Sequence, residues 1–291
     1  AMAIKSKNDK QTWSIQILIG LLIFLFLPVP FYWALQPNYS AFIKFPMSLS
    51  FTVFLLYVFK KYLERFAKEA VHLSLFGKAH KIFVGFLIST LLISVTIVCL
   101  FINRQYHVLS VNFSLESQFA WLSFCLLIAV IEEIIFRGII FRQISDCWNI
   151  KIGLIASALI FGILHIFNKD ATLWSSLAIA INAGWLYAIA YAYHQTIWVP
   201  IGMHWAWNYL EGGILGYEIS GITQAGIPLI TAKITGPALL TGGRYGPVSS
   251  IITIAIGIGL SMMYTILYIK RKTKREIMQD ALPCTFNYQH V

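Results

Sequence analysis

The chain has 291 residues, of which 58% are hydrophobic and only 12% charged. Soluble domains carry about 25% charged residues, so this composition, with a mean hydropathy of +0.72, excludes an ordinary soluble globule and describes a polytopic membrane protein. The formal charge of +10 invites a nucleic-acid reading, but basic residues in such a chain must first be tested as topology signals.

The first apolar run, Trp13 to Leu35, is too long for a signal-peptide core and lacks a small-residue cleavage site. It reads as a spanning helix bent at Pro28 and Pro30. A short second span, Phe45–Phe59, stops at Lys60-Lys61. In the basic stretch Lys60–Lys81, Tyr62, Phe66, Ala70 and Leu73 recur at helical spacing, as on a helix lying along a membrane surface. Ile82–Ile102 is the third span, and Asn103–Gln118 is polar and exposed. Then come Phe119–Phe136, Ile152–Phe167, Leu173–Tyr193, the aromatic-rich Ile197–Leu210, and Val248–Ile269. The Gly/Pro-rich connection Gly212–Pro247 is long enough for a lid, a re-entrant segment or an ordered cap, and Glu211 and Glu218 are expected to be solvated there. Trp198, Trp205, Trp207 and Tyr209 suit an interfacial belt or a packing surface.

The expected fold is therefore all-α: a polytopic membrane helix bundle of about eight transmembrane helices, with both termini cytoplasmic. Residues 1–269 form a single membrane domain with its core at 117–211, and residues 270–291 a disordered basic cytoplasmic tail. With that topology only Lys44, Arg104, Lys169, Lys233 and Arg244, of 22 Lys and Arg residues, fall on the outer side. This bias is the positive-inside rule, and it removes the case for nucleic acid as a partner. Cys99, Cys125, Cys147 and Cys284 lack the spacing of a disulfide framework or zinc knuckle.

Three polar clusters interrupt the apolar spans. The first is Glu132-Glu133-Ile134-Ile135-Phe136-Arg137. An acidic side chain at the centre of a membrane helix costs about 2.5–3.5 kcal/mol on insertion scales. Glu133 and Arg137 are four apart with the acid first, the favourable order for an ion pair on one helix face. Glu132 points about 100° away, free to meet another helix. The second cluster is Phe161-Gly162-Ile163-Leu164-His165, where Gly162 permits close helix approach. A lone histidine there is either a hydrogen-bonded structural group or a base. The third is His204-Trp205-Ala206-Trp207-Asn208, whose His204 and Asn208 share a face. Alone, that pair is interhelical glue or an oxyanion hole. Together the clusters supply a base, an orienter and oxyanion donors. No HExxH or Gly-x-Ser-x-Gly is present, so the nucleophile is most simply a water.

Glu-Glu-x-x-x-Arg, Phe-x-x-x-His and His-x-x-x-Asn, in this order on successive spans, resemble the CAAX protease and bacteriocin-processing (Abi) family of intramembrane endopeptidases, which includes the type II CAAX prenyl endopeptidases. The resemblance covers roughly Phe119–Leu210, and Leu240–Pro247 also resembles the C-terminal segment of a bacterial subgroup, without the acidic residue expected near Val248. It implies a glutamate-type intramembrane endopeptidase acting on a membrane-associated peptide or protein in a bacterial plasma membrane. Glu132 and His165 would activate water, His204 and Asn208 would stabilise the oxyanion, and Glu133, Arg137 and Phe161 would support them. No cofactor is required on this reading; the alternative is a zinc held by Glu132, His165 and His204. Two other classes stand against it: a proton-coupled transporter, and a non-catalytic peptide-binding or bacteriocin-immunity protein. Tyr288-Gln289-His290-Val291 is not a CaaX box, so the chain is not expected to be prenylated itself.

Overall fold

The computed structural model describes residues 7–34, 39–66, 78, 80–217, 219 and 225–280, with side chains described from Ser14 to Phe31 in the first stretch and up to Lys274 in the last. It is a membrane helix bundle with a small sheet. The helices are α1 (Lys7–Phe26), α2 (Pro28–Ala34), α3 (Ala41–Phe66) and α4 (Lys81–Ile102). After strand β1 (Tyr106–Val111) come α5 (Leu115–Glu133), a π-helical segment Ile134–Phe141, and α6 (Arg142–Cys147). Next are α7 (Ile150–Leu164), α8 (Leu173–Ile179), a second π segment Ala180–Trp185, and α9 (Leu186–His194). Helix α10 (Trp198–Asn208) runs into a third π segment, Tyr209–Ile214. Strand β2 (Ile230–Ile234), the short α11 (Ala238–Thr241) and α12 (Ile251–Asp280) complete the order.

Among the described residues, six helical segments are long and apolar enough to cross a membrane: Ser14–Phe31, Ala41–Phe66, Lys81–Ile102, Ile150–Phe167, Leu173–His194 and Ile251–Lys274. The expectation was about eight. The two expected spans outside this set are 119–136 and 197–210, which carry Glu132, Glu133, His204 and Asn208. They form helices all the same. Lys60-Lys61 do not end the second span, because α3 runs on to Phe66; the rest of the expected surface helix, 67–77, lies outside the described residues. The break in the first span falls at Leu27, with Pro28 opening α2, as proline prefers. Helix α12 continues to Asp280, where a disordered tail from 270 was expected.

Local sequence signals set the helix starts around the site. Ser114 caps α5 by accepting from the Ser117 amide at 3.2 Å, and Asn149 caps α7 by accepting from the Ile152 amide at 3.0 Å. Thr172 and Ser175 form a reciprocal capping box at the start of α8. Glu116 caps a different helix: it accepts from the Ser40 hydroxyl at 2.7 Å and the Ala41 amide at 3.0 Å, tying α3 to α5. Those two hydrogen bonds hold its carboxyl below the ordinary value.

Helix packing is closest where α4 crosses α10. A Cβ on Gly85 would collide with the Val199 carbonyl, and one on Gly202 with the Ile82 carbonyl, so the two backbones touch. This contact places the first turn of α10, and hence His204. On α7, a Cβ at Gly162 would lie 2.6 Å from the Ser176 carbonyl oxygen and 2.7 Å from the Ala180 Cβ. The close approach expected of Gly162 is therefore made against α8 and the second π segment.

The helical bundle expected from the sequence is present, with one small two-stranded sheet added to it. β1 and β2 pair antiparallel, Tyr106 opposite Ile234 and Val111 opposite Ile230, with a bulge between Val108 and Ser110. The segment 212–247 thus holds an ordered cap in its described part. The Tyr106 hydroxyl donates to the Leu215 carbonyl at 2.9 Å, and the Ser249 hydroxyl donates to Gly242 at 2.8 Å and Gly246 at 3.0 Å. These bonds fix Val248 over the site.

Gly202→Val should lower stability by about 1–3 kcal/mol or more, because the added atoms meet backbone that cannot yield. Reversible unfolding in detergent micelles checks this. An unchanged midpoint would show that the α4–α10 contact is looser than described.

Candidate active site

The site is built around a buried cation. Arg137, in the first π segment, and Glu133, at the end of α5, have no exposed side-chain surface, and Arg137 Nη1 donates to Glu133 Oε1 at 2.8 Å. Burying such a pair is favourable only if further hydrogen bonds satisfy both ions. Here Arg137 Nη2 also donates to the carbonyls of Ala183 and, at 3.3 Å, Gly184. Both lie in the second π segment, where the shifted ladder lets carbonyls turn toward an outside donor. The guanidinium also lies 4.7 Å from the Phe161 ring centroid and 5.3 Å from that of Tyr187. Cation–π contacts of this kind are worth about 2 kcal/mol when desolvated, and they suit the flat guanidinium rather than an ammonium.

Glu133 has a second task. His204 Nδ1 lies 2.9 Å from the same Oε1 that Arg137 holds. A carboxylate in an ion pair only accepts, so Nδ1 carries the proton and Nε2 is turned the other way. His204 Nε2 faces Glu132, 3.8 Å from its Oε2. That is too long for a direct hydrogen bond and is a distance a water can bridge. Glu132 is the more accessible acid, with 28% of its side chain exposed against none for Glu133. The two adjacent acids therefore meet opposite edges of one imidazole.

His165 ends α7 in a short 3-10 turn, with Nδ1 2.7 Å from the Phe161 carbonyl oxygen. A carbonyl cannot donate, so Nδ1 bears the proton and Nε2 keeps its lone pair. Asn208 is buried, and among the described residues its amide has no hydrogen-bond partner. His165, His204 and Asn208 line one narrow cavity, with Phe161, Tyr187 and Trp207 among its walls. Its volume is about 30 Å³, enough for a single water. Glu132 is outside the wall and reaches the cavity past His204.

Among the described residues, no group of three or more His, Cys, Asp and Glu side chains stands close enough to hold a metal ion. His165 and His204 each have Nδ1 engaged by protein oxygen, which leaves Nε2 of both rings facing away from that partner.

Other residues of the site were not singled out in the sequence. Asn182 donates from Nδ2 to the Val248 carbonyl at 2.9 Å, and both residues line the cavity. Its signal was visible: an amide inside the apolar run Leu173–Tyr193. Tyr187 carried none, because a tyrosine in an aromatic-rich span is unremarked. Glu211 is buried rather than solvated, and accepts from the Trp207 indole at 3.1 Å; Glu218 lies outside the described residues. The tryptophans of α10 are a packing surface: Trp198 and Trp207 are buried, and the Trp205 indole donates to the Leu122 carbonyl at 3.0 Å.

Phe161 joins several groups of the site. Its ring meets Phe136 edge-on at 4.6 Å, His165 at 4.6 Å and the Arg137 guanidinium. Phe161→Ala should cost about 3–5 kcal/mol, and Phe161→Tyr much less. Denaturant titration of both variants in micelles checks the ranking, and equal losses would refute it.

Residues 114–210 match the family model described as type II CAAX prenyl endopeptidase Rce1-like. A Bacillus subtilis (strain 168) protein named "Putative membrane peptidase YdiL" is 37% identical over 79 residues, covering 27% of this chain and 30% of that protein. The chain thus aligns with under a third of that relative's length. No solved structure matches. The matched segment holds both glutamates, Arg137, both histidines and Asn208, and over it the chain is similar to the Rce1-like family of type II CAAX prenyl endopeptidases.

Proposed function

We propose that the protein is an intramembrane endopeptidase that hydrolyses a peptide bond of a membrane-associated peptide or protein with an activated water. One observation carries this reading: His165, His204 and Asn208 converge on a cavity of about 30 Å³, and the acidic pair grips His204 from both edges. The Rce1-like match and the peptidase-named relative support it.

In the proposed reaction Glu132, with the free Nε2 of His165, removes a proton from water. The hydroxide adds to the peptide carbonyl carbon. The oxyanion accepts from the Asn208 amide and from His204 Nε2–H, the ring being protonated at both nitrogens. Glu133 stabilises that imidazolium through Nδ1–H. The C–N bond then breaks, and the proton taken from water passes to the leaving amine. Arg137 and Phe161 position the ring and the acid without meeting substrate. No cofactor enters these steps.

The termini are assigned to the cytoplasm by the distribution of Lys and Arg, and the host membrane to a bacterial plasma membrane, in keeping with the Bacillus relative. Bacteriocin leaders and other membrane-associated peptides are the substrate class; nucleic acid is no partner.

Glu132→Gln should leave folding intact and lower turnover by about 10²–10⁴-fold, and Asn208→Ala by about 10²–10³-fold. The test compares small membrane and secreted peptides from cells carrying wild type or Glu132→Gln. An uncleaved precursor that accumulates only in the mutant supports the reading. Matching peptide profiles in cells whose phenotype needs Glu132 would replace cleavage with transport; a phenotype untouched by Glu132→Gln would replace it with binding.

A further inference from the structure

A second cavity lies on the other side of the turn that holds Arg137. It is a groove of about 580 Å³ between α7, the second π segment and α12, walled by residues including Leu159, Ile181, Trp185, Ile258, Ser261 and Met262. All three walls belong to candidate membrane spans, so in a bilayer the groove opens onto hydrocarbon. A helix with its side chains is about 10–12 Å across, and one turn of it needs roughly 400–600 Å³. The groove is therefore too small to seat a partner helix along its length and is suited to a slender chain.

Two polar groups of α12 bear on the groove, one in its wall and one beyond its end. The Ser261 hydroxyl is buried in the groove wall and has no hydrogen-bond partner among the described residues. Ile258, Met262 and Ile266 recur every fourth residue along the groove, and the next step of that series is Lys270. Lys270 is exposed, lies about one turn beyond the groove, and has no partner among the described residues.

We propose that the groove binds an anionic bilayer phospholipid, its acyl chain between α7 and α12 and its phosphate on Lys270. The π turn is a shared wall: Ala180, Ile181 and Trp185 face the groove, while Asn182 and Ala183 line the active-site cavity. The Ala183 and Gly184 carbonyls on that turn hold Arg137. A bound chain therefore steadies the backbone that positions the buried cation. This holds whether or not the protein is a peptidase.

The test uses the full chain in phosphatidylcholine nanodiscs containing trace phosphatidylglycerol or phosphatidylcholine with a diazirine in one acyl chain. Photolabel from phosphatidylglycerol should saturate and map to Leu177–Trp185 and Ile258–Ile266. Ser261→Phe, which fills the groove, should remove it while leaving labelling of Leu87 and Leu91 on α4 unchanged. Should Ser261→Phe fail to fold, Met262→Trp at the rim serves instead. Lys270→Gln should lower the preference for phosphatidylglycerol about fivefold, the worth of one lysine at a membrane surface. Hydrogen exchange of the 180–185 amides should slow when phosphatidylglycerol is added to wild type and not to Ser261→Phe. Labelling that follows exposure alone, equal preference for the two lipids, or exchange that ignores the lipid would overturn the proposal.

Discussion

A fully buried guanidinium is the constraint on which the rest of this site depends. In a bundle this apolar, Arg137 must be neutralised, hydrogen-bonded and faced by polarisable surface, or its burial would unfold the core. Each need is met by a different element. Glu133 of α5 supplies the charge, the second π segment the carbonyls, and Phe161 and Tyr187 the ring faces. The same carboxylate oxygen then takes His204 of α10. Four helical segments are thus registered by one cation.

This arrangement explains why two adjacent acids are present rather than one. Glu133 holds both Arg137 and His204 through Oε1, while Glu132, one residue earlier, is partly exposed and approaches only the far nitrogen of the same ring. Helix geometry separates their directions, and the site uses that separation to split a structural acid from an available one. The third side chain of the cavity, Asn208, sits one turn beyond His204 just before a π segment begins. All three π segments adjoin site residues, in keeping with the tendency of π bulges to occur at functional positions.

Much of this was legible in the residue string. Charged and amide side chains inside apolar runs marked the helices that matter, and the four-residue spacing of Glu133 and Arg137 named their pairing. The link from Glu133 to His204 was not legible, because it depends on the crossing of α5 and α10, and nothing local encodes that. Nor were the π segments: one residue inserted into a helix leaves its hydrophobicity unchanged. The sheet escaped notice because β1 is a single short strand whose partner is over a hundred residues away. Glu211 was misplaced because a Gly/Pro-rich flank suggested a loop, whereas α10 continues through it as a π turn.

The most direct test of the buried-cation account is a double-mutant cycle on Glu133→Gln and Arg137→Gln, read as unfolding free energy in micelles. The account predicts that each single change strands the other charge, so that the double variant loses less than the sum, with a coupling of about 1.5 kcal/mol or more. Additive losses, within about 0.5 kcal/mol, would contradict it and show that Arg137 is held by the π-turn carbonyls and rings rather than by the acid that positions His204.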